Sequence, residues 1–451
     1  MDRKSFFSAV VNIAVPVGLQ SMLQSSFAMV DQLMVGQLGS TAVAAIEVAG
    51  RPVFIYSVVT GAVAAIAGIM ISQYLGMKEE DMADRSLSVN LVAVMLLATG
   101  FTALCLRFPE PIIRVFIRDD PAILSAGKAY LVRIAWTCLP MGISSVLAVL
   151  VRCMDRAVLP LCAGLAAAAV NTALNYALIF GRFGCPALGV TGAAVASVIS
   201  QMINLLLILA IFYWVRVRGR RGFHFSLSLG RKGYRQYAVM LFPVLINEFL
   251  WSVGQNVNTF IYGHIGTGDL AAMSMTGPVQ GLFIGALTGV SQAAGILIGK
   301  RLGAGEYDRA YEESKRLMWY GLAGSLALSA LLVLLRGPYV LLYRVEPDVQ
   351  DAAAGLLLVF AILAPVKVAN MVLGGGIVRS GGKTAYIMAV DMIGTWLIGA
   401  PLGLITAFVF QMPIAWVYFI LSQEELVRFV LTFLIFRRKR WMMSLQTGDK
   451  T

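Results

Sequence analysis

Charge is what this sequence has least of. Asp, Glu, Lys and Arg make up 13% of its 451 residues against 59% hydrophobic ones, and the mean hydropathy is +0.79. A chain so poor in charge cannot cover a soluble globule with polar surface, which excludes that class. Histidine is nearly missing. His224 and His264 are the two present, both expected in loops, so a histidine-rich metal site is excluded. The five cysteines (Cys105, Cys138, Cys153, Cys162, Cys185) are dispersed with no C-x-x-C pair, and they read as small buried hydrophobes instead of zinc ligands. Enzyme signatures are also lacking. GIVRSGGKT, Gly376 to Thr384, is near a phosphate-binding loop in composition, but position 377 is Ile where that loop needs Gly, and no strand precedes it. Nucleotide binding is not expected there; a turn is.

Long apolar runs are what the chain has in abundance, each long enough to cross about 30 Å of hydrocarbon. They carry Gly and Pro and are too long for barrel strands, so helices must satisfy the backbone. Twelve spans are expected, near 8–36, 50–75, 87–108, 126–151, 157–180, 189–215, 236–262, 270–299, 314–336, 352–378, 384–409 and 413–436. The net charge of +12 sits in short basic clusters between spans, so it reads as topology and not as nucleic-acid binding. Lys and Arg favour one set of alternate loops roughly three to one, which places both termini in the cytoplasm. Arg216, Arg218, Arg220, Arg221, Arg231, Lys232 and Arg235 of the central connector (about 216–235) lie on that side; Arg107, Arg114, Arg118, Arg336 and Arg344 lie on the other. Retaining topology is the connector's expected role, ahead of binding anionic lipid headgroups. Trp441, in the basic tail FRRKRWMMSLQTGDKT, is expected at the interface, with a frayed polar end after it. The first helix, behind MDRKSFFSAV, is read as uncleaved.

The chain is written twice. PVGLQSMLQSSFAMVDQLMVGQLGSTAVAA, from Pro16, and PVLINEFLWSVGQNVNTFIYGHIGTGDLAA, from Pro243, align without a gap at an offset of 227 residues. Gly36 falls on Gly263, Gly39 on Gly266, Gly68 on Gly295 and Gly76 on Gly303. Two apolar copies half a chain apart predict an all-α membrane protein of two parallel six-helix repeats, 1–222 and 223–451. Such repeats are a common plan of secondary transporters, with the solute site near mid-membrane.

Polar side chains at span depth need a reason, since a charge at a helix centre costs about 2.5–3.5 kcal/mol on insertion scales. Asp31 falls late in the first span, and its counterpart in the second copy is Asn258. Glu248, beside Asn247 and almost one turn before Trp251, has Ser21 as its counterpart, so the repeat itself does not demand an acid. Asp31, Glu248, Asp391 and Lys367 are therefore candidate ion-coupling residues, with Glu248 and Asn247 as candidate Na⁺ ligands. Lys367 is expected to pair with Glu248 or Asp391, as a coupling or a purely structural pair. Gln20, Asn171, Asn175, Asn247, Trp251, Asn258 and Asn370 are candidate cavity residues; Asn171 and Asn175 share a helix face and serve equally as glue between helices. Glu424 and Arg428, also one turn apart, read as a surface pair. Phe249, Trp251, Met273, Met275 and Phe283 form either a pliable apolar wall or ordinary packing.

Pro16, Asp31, Gly36 and Gly39, their second copy with Glu248, the turn GGGIVRSGGKT, and NTALNYALIFGRFGCPALGVTGAAVAS from 171 together resemble the multidrug and toxic-compound extrusion (MATE) family, over about residues 10 to 440. The resemblance implies a two-lobe, twelve-helix antiporter that expels drugs or organic cations in exchange for H⁺ or Na⁺, with no other cofactor. Asp31 matches the family's functional first-helix aspartate and Glu248 the cation-linked glutamate of one branch. Two departures stand out: Val368 occupies a position that is aspartate in some branches, and Asn175 one that is aspartate in the archaeal-like branch. That branch's proton relay and a full carboxylate cage for Na⁺ do not carry over to this chain. The implied setting is a prokaryotic inner membrane, the implied partners cationic or amphipathic small molecules and lipid, and the implied state a monomer without nucleic acid or enzymatic activity. A lipid-linked oligosaccharide flippase of the same superfamily is the alternative. It is expected to line its cavity with basic residues, where a cation antiporter has acidic ones.

Overall fold

The computed structural model describes residues 3–116, 121–218, 222–343 and 345–445. Arg118, Arg220, Arg221 and Arg344 lie outside them. The described residues form helices joined by turns and loops, without strands. Long helices α1 (Arg3–Gly36), α2 (Ser40–Gly76) and α3 (Glu80–Arg107) lead through short α4 (Pro109–Arg114) into α5 (Pro121–Ile134) and α6 (Cys138–Cys153). Then follow α7 (Val158–Phe180), α8 (Val190–Arg218), α9 (Gly230–Ile265), α10 (Thr267–Gly303), α11 (Tyr307–Val340) and α12 (Pro347–Asn370). Eleven spans among the described residues are long and apolar enough to cross a membrane, with α5 and α6 joined as one. After α13 (Thr384–Met392) and short α14 (Ala400–Leu404), the expected twelfth is broken: α15 (Ile414–Leu421) and α16 (Glu424–Arg437) meet at Ser422–Gln423. Glu424 and Glu425 there lower the hydropathy of any window that includes them.

The distribution of side chains suits hydrocarbon. Leu96, Leu334 and Trp319 stand exposed, while Ser86, Ser88, Asn90, Ser314 and Ser325 are buried, the reverse of a soluble protein. Pro16, Pro52, Pro243, Pro278 and Pro365 all lie inside helices, which neighbouring helices and hydroxyl groups make tolerable at membrane depth.

Packing divides the chain into two compact units. The first comprises Leu23–Ile71 and Glu80–Gly230; the second runs from Arg231 onward and takes in the start of α1 through Met22 and the segment Ser72–Glu79. Those two short segments belong to 1–222 in the sequence division but pack with the second half. In the first unit, Val35, Ala49, Cys105, Ile113, Tyr130 and Leu131 form a continuous core, and Tyr56 donates its hydroxyl to Cys138 O at 2.8 Å. The connector is fastened to this unit. Arg216 and Asp84 form a buried ion pair. The Ser226 N–H donates to Ser88 Oγ at 3.3 Å, and Arg85 donates to Ser228 O at 3.1 Å. Arg216 thus has a structural partner.

In the second unit, α12 runs on into a π-helical stretch, Met371–Val378, where three consecutive glycines sit. A Cβ on Gly376 would meet Ser291 O at 2.6 Å, so only glycine lets α10 come this close. Ser291 Oγ donates to Met371 O at 2.7 Å, tying α10 to the start of the π-helical stretch. GGGIVRSGGKT is thus a packing surface followed by a turn, with Gly382 in the left-handed region (φ 76°). Two expectations are corrected. His264 lies in the last turn of α9, not in a loop. Trp441 is fully buried rather than interfacial, because its indole stacks on Phe436 with ring centroids 5.8 Å apart. Of the cysteines, Cys105, Cys138 and Cys153 are buried as expected, but Cys162 is exposed and Cys185 half-buried.

Candidate functional site

The candidate residues gather into two clusters, one in each unit. In the first unit the carboxylate of Asp31 on α1 is held by α7. Asn175 Nδ2 donates to Asp31 Oδ1 at 2.8 Å. The Asn171 amide is oriented by its neighbours: its nitrogen faces the same carboxylate, 2.9 Å from Oδ2, and its oxygen accepts from Ser200 Oγ at 3.2 Å. The i, i+4 spacing of the two asparagines is what lets both amides reach one acid. Asn175 Oδ1 is buried with no hydrogen-bond partner among the described residues, an acceptor beside a carboxylate.

In the second unit a cavity of about 540 Å³ opens among α9, α10, α12, the segments after it, α15 and α16. Asn247, Glu248, Trp251, Asn258, Lys367, Asn370 and Asp391 all line it, together with Arg379, Glu424, Glu425 and Arg428. Gln20, half-buried on α1, does not. Four carboxylates and three basic groups thus share one space. Arg428 holds most of them together. Its Nε donates to Asp391 Oδ1 at 2.9 Å, with a second, very close bond from Nη2, and its Nη1 lies 3.5 Å from Glu425 and 3.9 Å from Glu424. Asn247 Nδ2 donates to Asp391 Oδ2 at 2.8 Å, and Asn370 Nδ2 donates to Glu425 Oε2 at 2.8 Å. Glu248 is more loosely held, 3.9 Å from Arg379.

The expected pairing of Lys367 with Glu248 or Asp391 is not what forms. Asp391 is taken by the longer, forked guanidinium of Arg428, which serves three acids at once. Lys367 instead lies in the electrostatic field of Tyr418, Glu425 and Glu424, with no carboxylate within 4.0 Å among the described residues. Likewise Glu424 and Arg428 are not a surface pair: their side chains are 13% and 15% exposed and face the cavity. The signal that marks them was present, since acids and an arginine in an apolar stretch demand burial among partners. Glu425 is not legible along one helix, because its partner, Asn370, is 55 residues away. Of the proposed apolar wall, Trp251 and Met273 line the cavity. Phe249 is exposed and Met275 buried. Phe283 packs edge-on against Phe360 at 5.2 Å and lines a separate apolar groove. No group of three His, Cys, Asp or Glu suited to a metal ion occurs among the described residues.

Both units use the same tie at different depths. In the first, the aspartate is on the first helix of the repeat and the asparagine on the fifth; in the second, Asn247 is on α9 and Asp391 on α13 (Thr384–Met392), the corresponding helices with the polarity reversed.

Comparison with known proteins bears on this arrangement. A family model described as MatE matches the chain twice, over residues 16–177 and 243–405. The chain is 27% identical over 415 residues to the probable multidrug resistance protein NorM of Rhizobium meliloti, covering 90% of this chain and 87% of that one. It is 25% identical over 430 residues to the multidrug resistance protein MdtK of Edwardsiella ictaluri, covering 92% of each. It is 22% identical over 440 residues to the uncharacterized transporter YisQ of Bacillus subtilis, covering 98% and 95%. Its fold matches a crystal structure of a MATE protein in the bent conformation with a TM-score of 0.86 at 16% identity, over 99% of this chain and 97% of that one. Since the family model covers both copies of the internal repeat, the chain belongs to the MatE family of membrane transporters.

Proposed function

We propose that this protein exports cationic or amphipathic organic compounds in exchange for H⁺ or Na⁺, by alternating access of two lobes, 1–222 and 223–451. The observation that carries this reading is the second-unit cavity, where four carboxylates at membrane depth meet an aromatic and methionine-bearing wall. The similar NorM and MdtK proteins are multidrug resistance proteins, which supports organic compounds as the solutes. In this reading the coupling ion binds at Glu248, with Asn247 beside it on α9, and at Asp31 with its two asparagines. Glu248 is the suited carboxylate of the cavity because Arg379 stands 3.9 Å away, whereas Arg428 is in direct contact with Asp391. Coupling requires ion and solute to favour different states of the transporter; equal binding to both states moves nothing.

Of the two charge patterns, the acidic one fits better. Arg379 and Arg428 each face carboxylates, and with Lys367 the three basic groups are outnumbered by four acids, which does not suit the cavity to the pyrophosphate that the flippase alternative requires. The protein is placed in a prokaryotic plasma membrane with both termini cytoplasmic, acting as a monomer. Counterflow in proteoliposomes, under separately imposed pH and Na⁺ gradients and with a panel of organic cations, tests the whole reading. Exchange driven by neither gradient refutes it. Within that assay Glu248→Gln is expected to abolish exchange with expression intact; full transport by the variant sinks the assignment of that residue.

A further inference from the structure

The chain beyond α16 folds back onto the second unit. Trp441 is fully buried, and its indole N–H donates to Phe436 O at 3.2 Å. Its ring stacks on Phe436, which in turn stacks on Tyr311 of α11 at 4.8 Å, and Lys439 lies over the Tyr311 ring at 4.5 Å. Trp441 O lies so close to Gly381 that any Cβ there would overlap it. At the end of α2, Gln73 has no exposed surface, and both ends of its amide are used. Nε2 donates to Ser380 O at 2.7 Å and to Met443 O at 3.4 Å, while Oε1 accepts from the Leu445 N–H at 2.9 Å. One side chain thus joins the end of α2, the turn at 380 and the C-terminal segment.

Gln73 also sits in a seam that obeys the internal repeat. Gly76 packs on the carbonyl of Lys300, and its counterpart Gly303 packs on the carbonyl of Gln73, the counterpart of Lys300. Gly299 faces Ser72, its own counterpart. The ends of α2 and α10 therefore cross with backbones touching about a local two-fold, where only glycine fits. The repeat places an amide on one side of the seam and a lysine on the other, so the tail is held through α2.

We propose that Trp441–Leu445, gripped by Gln73, is a latch that keeps the α2–α10 seam shut on the face carrying the chain termini, and that it lets go of Gln73 each time the transporter opens on that face. Gln73 is a positioning residue here and touches no solute. The proposal rests on the alternating-access reading above, but its test needs no substrate. In a background without the five native cysteines, Ser72→Cys reports on the seam through its rate of reaction with a maleimide, and Ser228→Cys alone, on an exposed connector site outside the spans, serves as control. The intact seam is expected to react slowly. Gln73→Met keeps the volume and removes all three hydrogen bonds; it is expected to speed labelling by roughly ten- to a hundredfold, the scale set by two or three net hydrogen bonds. Ending the chain after Met442 retains the buried indole and is expected to do the same. The two changes together are expected to add little beyond either, because they break one contact. Ser228→Cys labelling stays constant throughout, which separates an opened seam from general loosening. Unchanged Ser72→Cys labelling in both variants, or a full second increment when they are combined, overturns the latch. A chain that fails every counterflow assay yet shows the labelling pattern refutes the transport reading and leaves the latch standing.

Discussion

Arg428 is the residue on which the second-unit cavity depends most, since one guanidinium meets Asp391, Glu424 and Glu425. Removing one partner of a buried pair leaves the other charge uncompensated, which costs about 3–5 kcal/mol, whereas removing both is often close to neutral. Arg428→Met is therefore expected to lower thermal stability in detergent strongly, and Arg428→Met with Asp391→Asn to recover part of the loss. A double variant no more stable than Arg428→Met disproves the dependence. Lys367 illustrates the complementary case. Its position inside an apolar helix marks it as exceptional, but its neighbours come from α15 and α16, some 50 residues on. An ammonium is a compact point charge that acts through the field of its neighbours; which groups supply that field cannot be read along one helix.

At the scale of elements, glycine position decides helix contact. Replacing glycine by alanine inside an exposed helix normally stabilises by roughly 0.5–1 kcal/mol. At Gly303 and Gly76 the sign should reverse, because the added Cβ falls on a backbone carbonyl of the facing helix and such overpacking costs about 1–3 kcal/mol. Gly303→Ala is thus expected to melt earlier than the parent, and Gly100→Ala, where no heavy atom lies within 4 Å, to match or exceed it. Equal melting of the two variants refutes the close crossing. The broken twelfth span belongs at this scale too. Ser422 and Gln423 interrupt the helix just where Glu424 and Glu425 must turn toward the cavity, so the break and the acids have one cause.

For the molecule as a whole, the testable claim is orientation. Cys185 lies in the loop between α7 and α8 and is half-buried. With both termini cytoplasmic, a membrane-impermeant maleimide is expected to reach it from outside intact cells and to miss Ser228→Cys in the connector. Labelling of the connector alone inverts the topology.

The apolar runs and the repeat of Pro16, Gly36, Gly39 and Gly76 by themselves determined an all-helical membrane protein of two related halves, because span length and backbone satisfaction in hydrocarbon are properties of local sequence. They also marked Asp31, Glu248, Asp391 and Lys367, since an ionisable group at that depth is conspicuous whatever surrounds it. The tertiary structure alone decided the partners. It gave Asp31 to Asn171 and Asn175, Asp391 to Arg428 and Asn247, and Glu425 to Asn370. It also placed Trp441 inside rather than at the interface, and carried the start of α1, through Met22, and Ser72–Glu79 into the second unit. The reason is physical. Depth in a membrane follows from position along one helix, but a hydrogen bond or an ion pair depends on which face of another helix, often more than 100 residues away, arrives within 3 Å.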